Sequence, residues 1–182
     1  MLKRIAFEEG VELLKHASSE ELQQRAQAVR AEKNPPKRVT FVLDSNPNYT
    51  NVCNVGCSFC AFYRHPEAKG AYTKTVEEVM DHMERAKKAG LTTVLLQGGV
   101  NNALPLEYYV DLVKTARKRY PEIHPHFFSA VELDNLAQIS SITIRQVLEN
   151  LWEAGLRTIP GGGSEILSER VRLKISPKKL GP

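Results

Sequence analysis

Cys53, Cys57 and Cys60 are the chain's three cysteines, and all fall inside the stretch TNVCNVGCSFCAFYR at residues 50–64. Their spacing is C-x3-C-x2-C. Thiolates are soft ligands that suit iron–sulfur clusters and zinc. A cubane cluster is usually held by four cysteines. Three leave one iron without a protein ligand, by the logic that keeps one position open at a catalytic zinc. A cluster bound this way can take a substrate or cofactor directly on its unique iron. Two other readings stand beside it. A structural zinc would need a fourth ligand, His65 or His82, although the C-x2-4-C pairs of ordinary zinc fingers overlap only partly with a triple. Otherwise the cysteines are free, partly buried thiols with no ligand role.

Other patterns carry weaker chemistry. The run PGGGSEI at 160–166 offers backbone amides around Gly162, and the Glu165 carboxylate, as polar contacts for a substrate. No P-loop lysine pattern follows it. His124 and His126 alternate along an expected strand and so point the same way. H-x-H can ligate a metal, but without a carboxylate nearby in sequence a packed, hydrogen-bonded pair is the favoured reading.

The elements that must position these residues follow from composition and pattern. The chain has 182 residues, 42% hydrophobic and 25% charged, which is enough for one domain with a core and argues against disorder. Its formal charge of +4 is spread along the chain, with no basic block interleaved with aromatics. That fits anionic small molecules better than nucleic acid, which is set aside as a partner. No apolar run is long enough to span a bilayer, and the acidic N-terminus does not read as a signal peptide. The chain therefore reads as cytoplasmic, where clustered thiols are poor disulfide candidates.

An N-terminal helical segment is expected over 1–37, with helices at 7–16 and after Ser18, whose S-x-x-E pattern with Glu21 is a capping-box signature. Proline at 35 and 36 ends it. From 38 to 182 the pattern alternates. Strands are expected at 38–45, 91–99, 122–130 and 156–163, and helices at 75–89, 105–119 and 143–154. AGLTTVLLQGG and AGLRTIPGGG echo each other, each with a helix-ending glycine, a strand and a glycine-rich exit. Alternation of this kind implies an α/β fold with parallel pairing. Four strands are fewer than a full barrel of this type needs. The expectation is a partial (β/α) barrel, truncated after about four βα units, that belongs to a longer protein or is completed by a partner.

The cysteine spacing, with Phe59 just before the last cysteine, resembles the signature of the radical S-adenosylmethionine enzymes. The flanks NYTNVCNVGCSFCAFYR, LLQGG, HFFSAVEL, AGLRTIPGGGSEIL and VRLKISPKK narrow the resemblance to the cyclic dehypoxanthine futalosine synthases of the futalosine route to menaquinone. Aminofutalosine synthases and the radical subunits that build the coenzyme F420 chromophore are close siblings. The resemblance implies a TIM-type barrel and a [4Fe-4S] cluster ligated by Cys53, Cys57 and Cys60, with the amino and carboxylate groups of S-adenosylmethionine on the fourth iron. It implies reductive cleavage of that cofactor to a 5′-deoxyadenosyl radical, which would cyclise dehypoxanthine futalosine. An electron donor such as flavodoxin or ferredoxin would be needed. Phe59 and Phe62 would line the adenine side, with core packing as the alternative. Gln97, Gly98 and Gly99 match the element that contacts the methionine amino group; the alternative is a turn needing positive φ. Ser129 and Glu132 match positions offering polar contacts to the cofactor, with helix capping as the alternative. The family's chain is about twice this long, in keeping with a full barrel.

Overall fold

A computed structural model describes residues 4–35, 37–162 and 165–180. The chain divides into two compact units, Met1–Phe41 and Val42–Pro182. The first holds α1 (Phe7–His16) and α2 (Ser19–Lys33), and neither helix has a fully buried side chain. Ser18 Oγ accepts the Glu21 N–H at 3.2 Å, which fixes the start of α2 where its S-x-x-E pattern predicts. In α1 the apolar residues Val11, Leu13 and Leu14 are only partly covered, and Leu14 stays exposed.

The second unit runs β1 (Asp44–Ser45), α3 (Val76–Lys88), β2 (Thr93–Leu96), α4 (Leu106–Arg119), β3 (His124–Phe127), α5 (Ala130–Ser140), α6 (Ile144–Ala154) and α7 (Glu169–Ile175). The three strands pair in parallel in the order β1-β2-β3, with Asp44 opposite Thr93 and Thr93 opposite His124. Parallel neighbours need a crossover between them, and α3 and α4 supply it. Single parallel bridges carry the ladder further, from Asn48 to Gln97 and from His126 to Thr158.

Period-two alternation decides which face is core. Val94, Leu96 and Phe127 are fully buried and pack with Met80 and Met83 of α3, Leu112 and Val113 of α4, and Val147 and Leu151 of α6. Each such side chain contributes about 1.5–3 kcal/mol on burial. Thr93, Leu95, His124 and His126 face the other way and are half-buried. Gly90 and Gly155 follow α3 and α6 at φ of +73° and +109°, the left-handed exit that glycine takes without a Cβ penalty.

The expected helices at 75–89, 105–119 and 143–154 correspond to α3, α4 and α6. The strand expected over 38–45 contracts to Asp44–Ser45. Val39 and Phe41 are 78% and 80% exposed, because β propensity makes a strand only where a ladder partner lies alongside. The fourth expected strand contracts to the Thr158 bridge; Pro160 lacks a donor and the glycines after it have no side chains to pack. Gly163 of that run lies outside the described residues. Helices α5 and α7 have no counterpart among the expected elements.

Candidate functional site

The cysteine loop leaves the end of β1 and is sewn to the exit of β2. The Gly99 N–H donates to the Thr50 carbonyl at 2.9 Å, and the Asn54 N–H to the Val100 carbonyl at 2.9 Å. On its other side the Cys53 N–H donates to the Arg64 carbonyl and the Ser58 N–H to the Ile175 carbonyl, so α7 backs the loop. Within the loop the Cys60 N–H reaches the Cys57 carbonyl at 3.1 Å.

These ties close a cavity of about 350 Å3, within the range of small-molecule sites, about 300–1,000 Å3. Cys53, Cys57 and Cys60 border it, and so do Phe59 and Phe62 from the same loop. Gln97, Gly98 and Gly99 enter from the β2 exit, Ser129 and Glu132 from the start of α5, and Gly162 and Glu165 from the segment before α7. Every residue that the resemblance or the glycine-rich run assigned to the cluster, the cofactor or the substrate thus lies on one wall or another of a single cavity, whereas the histidines do not. Phe59 and Phe62 are 51% and 43% exposed, so the core-packing alternative fails for both.

Gly98 and Gly99 have no positive φ, and the turn alternative fails with it. Close approach is what requires glycine. A Cβ on Gly98 would stand 2.7 Å from the Tyr49 ring, and one on Gly99 would collide with the Val52 carbonyl. The strand exit can lie against the cysteine loop only because these two side chains are missing.

Cys57 is buried, while Cys53 and Cys60 are half-buried and pack with Val55 and Val100 in a small apolar cluster. Burial pushes the Cys57 thiol up, and the Lys179 ammonium opposes that shift. Among the described residues no three His, Cys, Asp or Glu side chains converge as the ligands of one ion do. A zinc draws every sulfur to about 2.3 Å from a single centre. A cubane instead places each thiolate on its own iron, and three cysteines of one loop bordering one cavity fit that ligand set. The histidines offered for zinc are elsewhere. His82 Nε2 lies 3.0 Å from Ser45 Oγ, and His65 stands edge-on to Tyr63; neither borders the cavity.

His124 Nε2 and His126 Nδ1 each lie 2.6 Å from Thr158 Oγ1, their rings stacked at 6.1 Å. The favoured hydrogen-bonded pair is what the strand carries. Lys179 is a charged cavity residue that sequence reasoning missed, as it missed Asn48, Tyr63 and the valines of the lining. Its Nζ pairs with Glu165 Oε1 at 2.5 Å and stands 5.8 Å from the Phe59 ring centre. Nothing in the KISPKK spacing fixes that placement, which depends on α7 docking against the loop.

Residues 47–180 match the Radical SAM superfamily. The chain is 38% identical over 178 residues to cyclic dehypoxanthine futalosine synthase of Halalkalibacterium halodurans, covering 98% of this chain and 48% of that protein. It is 37% identical over 178 residues to aminodeoxyfutalosine synthase of Thermus thermophilus, with the same coverage. The chain spans about half the length of these curated relatives. In fold it matches the crystal structure of methylornithine synthase (PylB) with a TM-score of 0.67 at 20% identity, over 98% of this chain and 49% of that one. The partial barrel, the cysteine loop and these likenesses agree: the chain belongs to the Radical SAM superfamily, whose members use a [4Fe-4S] cluster and S-adenosylmethionine.

Proposed function

We propose that this chain carries the cluster- and cofactor-binding part of an enzyme that cyclises dehypoxanthine futalosine in menaquinone biosynthesis. The observation that carries the reading is the single cavity. The cysteine loop, the β2 exit, the start of α5, Gly162 and Glu165 meet there, in a chain similar along nearly its whole length to a cyclic dehypoxanthine futalosine synthase.

Cys53, Cys57 and Cys60 would each hold one iron and leave the fourth open to the amino and carboxylate groups of S-adenosylmethionine. When bound, cluster and cofactor supply a 5′-deoxyadenosyl radical, with the electron drawn from a flavodoxin or ferredoxin. The chain's residues bind and orient. Phe59 and Phe62 present exposed ring faces for the adenine, and aromatic faces stack on bases without needing hydrogen bonds. Gly98 and Gly99 bring backbone groups close to the methionine end. Gly162 and Glu165 offer an amide and a carboxylate to the substrate, and Val55 and Val100 keep water from the thiolates. Among the described residues no helix is long and apolar enough to cross a membrane. The cytoplasm is the proposed location.

Reconstitution with iron and sulfide under anaerobic conditions tests the cluster. A brown protein with roughly four irons per chain, lost in Cys57→Ser, is the expected result; one tight zinc and no colour sinks the reading. Mass spectrometry of S-adenosylmethionine cleavage in the presence of dehypoxanthine futalosine tests the substrate. Cleavage with only a sibling's substrate moves the assignment to an aminofutalosine or F420-chromophore synthase and leaves the radical chemistry standing.

A further inference from the structure

Glu132 borders the cavity, yet it is 2% exposed and has no acceptor position to spare. An ionised carboxylate offers about four lone-pair sites. Oε1 accepts the Tyr49 hydroxyl at 2.6 Å and the Gly98 N–H at 3.0 Å. Oε2 accepts the Ser129 N–H at 2.8 Å and the Ser129 hydroxyl at 2.5 Å. Tyr49 follows β1, Gly98 follows β2 and Ser129 follows β3. One side chain therefore joins the C-terminal ends of all three strands of the sheet, where parallel α/β folds carry their chemistry.

We infer that Glu132 is a positioning residue for the cofactor site: it does not touch the cofactor but pins the Gly98–Gly99 backbone against Tyr49 and the cysteine loop. This rests on the cofactor reading above. The glycine exit has no side chains of its own to hold it. Its place is set on one side by Thr50, which accepts from Gly99, and on the other by Glu132. The tie does not depend on the charge of Glu132. When Glu132 is protonated, its hydroxyl can donate to Tyr49, which turns its own hydrogen toward the Tyr109 hydroxyl 3.4 Å away; Oε1 keeps a lone pair for Gly98. The groups facing Glu132 from the surrounding elements are Tyr49, Tyr109, Ser129 and the Gly98 amide.

The test uses the full chain and two readouts. One is amide hydrogen exchange of residues 97–99 without ligand; the other is the affinity for S-adenosylmethionine after anaerobic cluster reconstitution. Glu132→Met accepts no hydrogen bond, and Glu132→Asp keeps the carboxylate but draws it back by one methylene. Leu151→Ala, in the core on α6 and away from the cavity, is the control for lost stability alone. Both Glu132 variants are expected to exchange the 97–99 amides faster and to bind the cofactor at least about tenfold more weakly, the size seen when groups supporting a site are removed. Leu151→Ala is expected to lower the unfolding midpoint and leave both readouts unchanged. Should Glu132→Met fail to fold, Glu132→Asp decides. Exchange and affinity like the wild type, or the same losses in Leu151→Ala, overturn the inference. A wild-type chain that binds a cluster but no S-adenosylmethionine overturns the cofactor reading instead, and the exchange result then judges the tie by itself.

Discussion

Helices α3 and α5 begin with the same four-residue motif, and the two starts serve different ends. At α3, Glu78 Oε2 accepts the Thr75 N–H at 2.7 Å and the Thr75 hydroxyl at 3.0 Å, while the Glu78 N–H donates to Thr75 Oγ1 at 3.2 Å. That carboxylate serves its own helix and is open to water. Its hydrogen bonds to Thr75 hold it below the usual carboxylate range. At α5, Glu132 Oε2 likewise accepts the Ser129 N–H and hydroxyl, and its second oxygen reaches two other strand ends. Burial raises it to about 7 despite four hydrogen bonds that pull it down. Water makes the difference. In the exposed box the carboxyl group ionises freely, and the bonds are local. In the buried box desolvation outweighs the bonds, and the carboxylate persists because it joins elements far apart in sequence.

The largest effect that can break this comparison is the pH dependence of stability. Glu132 rises from an ordinary 4.5 to about 7 on folding, so the folded chain holds its proton more tightly than the unfolded chain. Its contribution is fully present below pH 4.5 and is lost as pH rises to about 7. The loss is about 3 kcal/mol. Chemical denaturation at pH 5 and pH 7.5 should show the wild type losing stability relative to Glu132→Gln across that window. Parallel curves for the two proteins would mean that Glu132 is not desolvated.

Tyr49→Phe is the next largest. It keeps the ring against Gly98 but removes the 2.6 Å bond to Glu132. A lost bond to a buried charged group costs about 1–3 kcal/mol. Because the Tyr49 hydroxyl also pulls Glu132 down, the midpoint of the pH transition should move higher in this variant. A loss of stability with no movement of that midpoint would assign Tyr49 to packing alone.

Much of this was legible in the sequence, and the gaps have physical causes. The cysteine spacing carried the cluster reading, and the resemblance tied the QGG exit to the same cofactor; both lie in short segments that follow strands. The helices with amphipathic stripes and caps fell where expected. The strand over 38–45 did not, because Val39 and Phe41 have the composition of a strand without a neighbouring ladder. The two competing readings of Glu132, cap and cofactor contact, could not be weighed from S-x-x-E alone. That choice needed Tyr49 and Gly98, which lie 83 and 34 positions away in sequence. Lys179 was invisible for the same reason.

Thr75→Ala tests the local box with a smaller effect. Removing an N-cap hydroxyl typically costs about 1 kcal/mol. The loss should appear in the unfolding midpoint, with hydrogen exchange of residues 97–99 unchanged, since Thr75 and Glu78 do not border the cavity. Faster exchange at 97–99 would show that the two boxes are coupled through the sheet.

Glu78→Gln gives the smallest effect and the sharpest contrast, because its sign is opposite to that of Glu132. Folding lowers Glu78, so its contribution is present above the ordinary carboxylate value and is lost as pH falls through the folded value. The wild type should therefore exceed Glu78→Gln in stability at pH 7, and the two should converge as the solution is acidified below about 4.5. Glutamine keeps the shape of the box and can still accept from the Thr75 N–H, so only the charge is removed. Salt should narrow the gap at pH 7, since this carboxylate is exposed. A gap that widens on acidification would give Glu78 the same sign as Glu132, and the contrast between exposed and buried boxes would then fail at its root.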